Sequence, residues 1–285
     1  MPIDIRAATV ADAQGCGRIC FESFGAIADR HGFPRDFPSV QEATDLAVRL
    51  TTHAGFFGVV AERDGTLVGS NFLDERSTIF SVGPITVDPA AQDGRIGRAL
   101  MAAVLEECAT RRAPGVRLLQ VAYNNRSMSL YAKLGFDVRE SFAAVQGSRI
   151  DARIAGYAVR RATQHDLRTC DELCVYVHGH DRTGELQEAI SRGEASVVER
   201  QGRITAYTTG IGFFAHSVAE TNDDLIALIA VAERFAGPGF LVPLRNTALL
   251  RWCLGHGLRV VYMLNLMTMG LYQEPRGAFL ASIGY

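Results

Sequence analysis

Two stretches of this 285-residue chain combine residue types that bind anions and move protons. The first is TVDPAAQDGRIGRALM, Thr86 to Met101, in which a β-branched strand ends at Val87, Pro89 stops it, and a polar turn feeds an amphipathic helix. Such a turn aims several backbone N–H groups and the positive end of a helix at one spot, the arrangement that binds phosphates. Gly94 and Gly97 let a diphosphate approach the backbone without Cβ atoms in the way, and Arg95 and Arg98 add positive charge. The spacing is neither G-x-x-x-x-G-K-[ST] nor G-x-G-x-x-G, so the usual nucleotide loops are absent. The second stretch, NNRSMSLYAKLGF from Asn124 to Phe136, enters from a strand and carries Tyr131 on a helix. Taken alone, Tyr131 reads as an aromatic packed on a sheet with its hydroxyl at the surface.

Other groups carry less. His178, His180 and Asp181 have the composition of a metal cluster, but no further ligand stands near them in sequence, so no metal site is expected. Cys16, Cys20, Cys108, Cys170, Cys174 and Cys253 contain no C-x-x-C pair, and read as apolar core thiols.

The elements that must position these groups are legible in outline. A chain of this length fits two domains, and it repeats internally. IRAATVADAQGCGRIC from Ile5 aligns with VRRATQHDLRTCDELC from Val159, pairing Arg6 with Arg160, Thr9 with Thr163, Asp12 with Asp166, and Cys16 with Cys170. AERDG ending at Gly65 aligns with VERQG ending at Gly202, and Asn124 to Gly135 aligns with Asn246 to Gly257. The halves are two versions of one domain, residues 1–153 and 154–285, joined near Ala152 to Tyr157.

In the first half, IDIRAA is a short strand. Thr9 with Asp12, and Ser39 with Glu42, are capping-box-like helix starts. The segment Gly25 to Pro38, rich in Pro and aromatics, is expected to be a loop, the kind of segment that usually carries specificity. FFGVVAER and TLVGSNFL flank Asp64-Gly65, a strong hairpin signal. An apolar strand Ile79 to Val87, a helix from about Gly94 to Arg112, the strand VRLLQVAY, a helix Asn125 to Leu134 and two closing strands complete the half. Hairpins early and alternating elements later predict an α/β fold with a mixed, mostly antiparallel sheet flanked by helices in each domain.

Charge and hydropathy exclude several classes. A net charge of −2 offers no footprint for nucleic acid or an anionic membrane. The start MPIDIRAATVADAQ has no signal-peptide core, and the longest apolar run, Leu225 to Ala232, is far short of the ~20 residues a bilayer needs. The chain reads as a cytoplasmic-type protein.

The order of strand, Gln-x-x-Gly-x-Gly-like turn, helix, strand, then Asn followed by Leu-Tyr-x-Lys-x-Gly-Phe resembles the GCN5-related N-acetyltransferase (GNAT) family across the first half; the second half resembles it in layout only. The resemblance implies acetyl-CoA as co-substrate and an amine acceptor, either a small molecule or a protein. It implies that Gln92 and Gly97 open and close the pyrophosphate loop, with Arg98 following. Arg95 stands where Gly or Ala is usual, with Gly94 one place earlier. It further implies that the backbone at Thr86 and Val87 pairs with the pantetheine arm, that Asn124 lies near it, and that Tyr131 is the general acid. For the base, Asp74 and Glu75 follow the third strand near the cleft, with a solvated turn as their other reading. His31 and His53 are weaker candidates.

Two rival readings stand beside acetyl transfer: an acyl-CoA-binding or regulatory module without turnover, and a repeat that serves homo-oligomer formation. In the second half, the helix matching the CoA-binding one begins VAETNDDLIALI, with Glu220, Asp223 and Asp224 where the first half has Gly94, Arg95 and Arg98. Cys253 stands where Tyr131 stands. A degenerate second domain without CoA is therefore expected, its all-apolar helix buried inside the body or at a subunit interface.

Overall fold

The computed structural model describes residues 3–92 and 95–285. The first half runs β1 (Asp4–Ala7), α1 (Ala13–His31), α2 (Val40–Thr52), β2 (Phe56–Arg63), β3 (Thr66–Asp74), β4 (Phe80–Val82), β5 (Thr86–Val87), α3 (Ile96–Thr110), β6 (Gly115–Val121), α4 (Asn125–Lys133) and β7 (Asp137–Gln146). The second runs β8 (Ala158–Arg161), α5 (Leu167–His178), α6 (Thr183–Ser191), β9 (Ser196–Arg200), β10 (Arg203–Thr208), β11 (Ser217–Ala219), α7 (Asn222–Val231), β12 (Phe240–Pro243), α8 (Thr247–Gly255), β13 (Arg259–Gly270) and β14 (Ala278–Leu280).

The repeat is visible in atomic detail. Thr9 N and Oγ1 donate to Asp12 Oδ2 at 2.8 and 2.9 Å, and Thr163 N and Oγ1 donate to Asp166 Oδ2 at 2.7 and 2.9 Å. Arg6 grips Asp12 with both terminal nitrogens and reaches Glu62, while Arg160 grips Asp166 and reaches Glu199 in the same way. Each box starts the helix that follows, α1 or α5. Ser39 Oγ accepts from Glu42 N at 3.3 Å and starts α2. The hairpin residues Asp64 and Gly65 have φ of 51° and 74°, and Gln201 and Gly202 have 53° and 75°. These left-handed pairs match the twist of the flanking strands.

Three local expectations need correction. The predicted loop Gly25 to Pro38 is helical as far as His31, since α1 continues until Gly32 ends it in a left-handed conformation. The predicted single strand Ile79 to Val87 is broken at Gly83-Pro84, where proline offers no N–H to a ladder. As a result β4 pairs in parallel with β6 while β5 pairs antiparallel with β3. Finally, one long strand, β7, closes the first half instead of two.

The strands do not sort by halves. One sheet has the order β1-β2-β3-β4-β6-β13-β7-β12, with β5 beside β3, and the second has β14-β11-β10-β9-β8. β13, from the second half, is inserted between β6 and β7 of the first: Leu264 to Gly270 pair with Val121 to Gly115, and Arg259 to Thr268 with Gln146 to Asp137. Because strand side chains alternate faces, β7 is built into two cores whose other fully buried members all come from the second half. Phe142 and Ala144 join the one holding Cys170, Cys174 and Tyr207. Ala143 and Val145 join the one holding Leu225, Leu228 and Cys253.

α3 presents Ile96, Leu100, Met101, Val104 and Cys108 as one buried stripe to the first-half core. α7 buries Leu225 and Ala227 to Ala230 within the body. All six cysteines are free and buried. Among the described residues no cluster suited to a metal ion is found, and no helix is long and apolar enough to cross a membrane.

Candidate active site

The break at Gly83-Pro84 creates the site. β4 pairs with β3 at Leu73–Val82 and Asp74–Ser81 and with β6 only at Phe80–Val116 and Ser81–Arg117; beyond the break β5 stays on β3, where Thr86 faces Ser70 and Val87 faces Gly69. β5 and the end of β6 are thereby parted, and a cavity of about 220 Å³ lies where they diverge, lined by Gly83 to Ile85, Leu118 to Val121, Asn124 and Tyr131. Residues of the second half close it: Glu185, Phe213, Phe214 and Ser282 to Gly284. Phe24, Phe37 and Phe56 add apolar wall. Two wider clefts of about 930 and 780 Å³ adjoin it, and Arg49 and Phe214 line all three.

At the α3 end, the first-turn N–H groups have no intrahelical partner, the standing condition of a helix N-terminus. Arg95 caps α3 with φ 62°, the left-handed conformation a glycine takes more readily. Gly94 lies outside the described residues. A Cβ on Gly97 would meet only Leu130 at 3.5 Å and Val87 at 3.9 Å, ordinary contacts, so packing within the chain does not require glycine there. Arg98 is exposed on the same turn. Gln92 bridges the loop to its surroundings, its Nε2 donating to Val87 O at 3.4 Å and its Oε1 accepting from Arg126 at 3.1 Å. The Val87 carbonyl also accepts from Ser23 Oγ at 3.1 Å, and the Thr86 and Ser70 hydroxyls, both buried, are 3.1 Å apart.

Tyr131 is 6% exposed, so its hydroxyl is not the surface group a lone reading suggests. Burial raises its phenol above the ordinary value, which keeps it protonated. Asn124 caps α4, accepting from Ser127 N at 3.2 Å, as Asn246 caps α8 from Leu249 N at 3.2 Å.

The two carboxylates suggested as bases separate. Asp74 lines the cavity but is held by Arg76, whose Nε and Nη2 donate to it at 2.9 and 2.5 Å, and Arg76 also reaches Glu188 Oε2 of α6 at 2.9 Å. Glu75 does not reach the cavity. Its carboxylate turns to Arg111 at 3.8 Å, and burial raises its pKa. Strand alternation at the end of β3 explains the split. Of the weaker histidines, His53 pairs with Glu188 at 2.9 Å and His31 sits beside Tyr123, ring centroids 5.5 Å apart.

Sequence reasoning missed two cavity residues. Gln120 donates to the carbonyl of Asn124 at 2.8 Å and accepts from Asn265 of β13 at 3.2 Å. Asp36, on the loop between α1 and α2, lines the cavity and accepts from the Tyr262 hydroxyl at 2.8 Å. Burial raises its carboxyl above the ordinary value, while the Tyr262 bond pulls it back down. Asp36 falls in the Pro- and aromatic-rich segment Gly25 to Pro38, whose composition marks a specificity loop, but nothing local singles it out within that segment, and nothing local marks Gln120.

The second copy of the loop is closed by its own carboxylate. Asp224, fully buried, accepts from Thr221 N and Oγ1 at 3.1 and 2.5 Å and from Thr205 Oγ1 at 2.5 Å, so it occupies the N-terminus of α7 itself. Glu220 is engaged by Arg200 and Arg203. Cys253 is fully buried in the position of Tyr131.

Across its whole length the fold is that of two-domain acetyltransferase-like proteins. It superposes on a candidate acetyltransferase of Pyrococcus horikoshii with a TM-score of 0.75 at 16% identity, covering 99% of this chain and 95% of that one. A GCN5-related N-acetyltransferase from Sphaerobacter thermophilus gives 0.63 at 16%, covering 96% and 97%. A tandem GNAT protein from the clavulanic acid biosynthesis pathway gives 0.58 at 14%, covering 94% and 98%. These likenesses establish the fold. Residues 25–136 match the model of the acetyltransferase (GNAT) family. In sequence it is 36% identical over 90 residues to the mycothiol acetyltransferase of Streptomyces avermitilis, a match spanning 31% of this chain and only 29% of that enzyme.

Proposed function

We propose that this protein transfers the acetyl group of acetyl-CoA to an amine by direct attack in a ternary complex. In this reading residues 1–153 supply the acetyl-CoA site and residues 154–285 are a degenerate copy that walls the acceptor side. The observation that carries it is the parting of β5 from β6 beside the α3 N-terminus, with buried Tyr131 on the cavity between them. The residues present suit the co-substrate: orphan N–H groups and Arg95 and Arg98 for a diphosphate, a glycine at 97 that packing does not demand, and an apolar cleft for a slender arm.

Each residue then has a task. Backbone N–H groups at the parted edge stabilise negative charge on the acetyl oxygen as the amine attacks. Tyr131, kept protonated, donates to the departing thiolate. A covalent acetyl-cysteine route lacks a nucleophile: none of the six cysteines lines the cavity. All have thiols raised by burial, Cys16 and Cys174 to about 11, Cys108, Cys170 and Cys253 to about 12, and Cys20 further still. The cavity volume, below the usual ~300–1,000 Å³ of small-molecule sites, favours a small amine or a single inserted side chain.

The test is a free-thiol screen of acetyl-CoA against an amine library, run with wild type and Tyr131→Phe. Amine-dependent thiol release that falls in the variant is expected. Tight acetyl-CoA binding with no release for any amine would favour an acyl-CoA-binding module.

A further inference from the structure

We propose that Asp36 receives the acceptor's ammonium group in the cavity and takes its first proton, with Tyr262 of β13 as its positioning residue. The proposal rests on the acetyl-transfer reading above and names the base that reading leaves open.

Charge singles out Asp36. Three carboxylates line the cavity, and two are neutralised within the chain: Asp74 by Arg76, and Glu185 by Arg182, whose Nε donates to it at 2.6 Å, and by Arg76 at 3.4 Å. Asp36 is the third. Among the described residues no cation lies within ion-pair distance of it, and its one hydrogen bond comes from the neutral Tyr262 hydroxyl at 2.8 Å. The adjacent Arg35 is turned away, paired with Asp29 and lying over the Phe21 ring at 5.3 Å. A carboxylate withdrawn from water without a counter-ion is costly unless a bound cation completes the site. Phe24 and Phe37, ring centroids 6.4 Å apart, and Phe214, 6.4 Å from Phe37, stand along the same wall and suit the body of an amine. The acceptor class is thus a primary amine, cationic in solution, on an apolar or aromatic frame.

Asp36 also has the chemistry of a base. Enclosure lifts its carboxyl above the ordinary value, which brings it closer to the range where proton transfer from an ammonium is efficient. The titratable and charged groups facing it are Cys20 of α1, Tyr123 after β6 and Tyr262 of β13, with Arg49 of α2 on the wall of the same cavity and Glu42, Asp45, Arg234 and Arg259 on the adjoining cleft. The protons balance as follows. The ammonium gives one proton to Asp36, and the freed lone pair forms the C–N bond to the acetyl carbon. The C–S bond breaks with its electrons on sulfur, and sulfur takes the Tyr131 proton. The second proton shed by nitrogen restores Tyr131, and Asp36 returns its proton to solvent.

The test uses full-length Asp36→Asn and Tyr262→Phe with the most active amine from the thiol screen. Asp36→Asn is expected to lower kcat/KM by ~10²- to 10⁴-fold and to abolish the acidic limb of its pH profile, with acetyl-CoA affinity unchanged. Tyr262→Phe removes a bond to the charged form, so the limb moves to higher pH. Wild-type kcat/KM and an unmoved limb in Asp36→Asn would overturn the proposal. An unmoved limb in Tyr262→Phe would remove the positioning role, and that variant carries the test if Asp36→Asn fails to fold. If the wild type acetylates no amine, the acetyl-transfer reading fails by itself. Asp36 is then judged by benzylamine calorimetry: binding lost in Asp36→Asn supports the ammonium site, and equal binding overturns it.

Discussion

Asn265 donates a hydrogen bond to Gln120 across 3.2 Å, joining a strand of the second half to the cavity wall of the first. Gln120 in turn holds the Asn124 carbonyl and the Ser127 hydroxyl, and Asn265 accepts from Ser141 of β7 at 2.9 Å. The strand that carries Asn265 is the one filling the space between β6 and β7, so the repeat units of the sequence are not independent folding units.

A fragment ending at residue 153 should therefore fail to form the site. Without β13 the facing edges of β6 and β7 are open, and Phe142 to Val145 lose the cores that bury them on both faces, leaving an apolar, edge-exposed strand prone to aggregate. Circular dichroism and acetyl-CoA calorimetry on the fragment check this. A soluble, cooperatively folded fragment with wild-type affinity would contradict it.

In the proposed mechanism Tyr131→Phe removes only the proton donor. Turnover should fall by ~10²- to 10⁴-fold with acetyl-CoA affinity little changed. Single-turnover rates separate the chemical step from binding, and an unchanged rate constant for that step would take Tyr131 out of the mechanism.

Gly97 separates folding from binding. Alanine there meets only ordinary contacts and suits a helix, so Gly97→Ala should fold as stably as wild type or more so, by up to about 1 kcal/mol. Gly97→Glu adds bulk and negative charge at the proposed diphosphate site and should weaken acetyl-CoA binding strongly. Calorimetry showing wild-type affinity for Gly97→Glu would remove this loop from the site.

Stability should begin to fall at mildly acid pH. His178 and His216 are held neutral well below the ordinary histidine value, first by burial and then by neighbouring histidine and arginine groups, and burial lowers His180 to about 4. Below pH 6.5 the unfolded chain binds protons that the folded one refuses. Each such histidine then costs up to about 1.4 kcal/mol per pH unit, until its folded pKa is reached. Asp12, lowered to about 2 by its Arg6 hydrogen bonds, adds a further loss only between about pH 4 and 2. Denaturant midpoints measured from pH 8 to 4 test this, and a flat profile down to pH 4.5 would contradict it.

What the sequence disclosed was local. The boxes at Thr9 and Thr163, the hairpin at Asp64-Gly65 and the α3 stripe follow from residues within one or two turns of each other, and all form. The carboxylate cap of α7 was legible too, because Asp224 caps its own helix three residues from Thr221. The insertion of β13 was hidden because a buried strand pattern does not name its partners, and those of β13 lie more than a hundred residues away. The loop holding Asp36 was marked by its composition, but the role of Asp36 itself was hidden for the same reason, since its partner Tyr262 lies 226 positions later. Glu75 was misdirected by one residue, enough at a strand end to turn its side chain to the opposite face.

The central claim, direct acetyl transfer to an amine, is tested most directly by rapid-quench analysis with acetyl-labelled acetyl-CoA and the most active amine from the screen. The predicted result is label appearing in the amide one-for-one with released thiol, with none retained on the protein at any time. Label held covalently on the protein, or thiol released without labelled amide, would contradict the account.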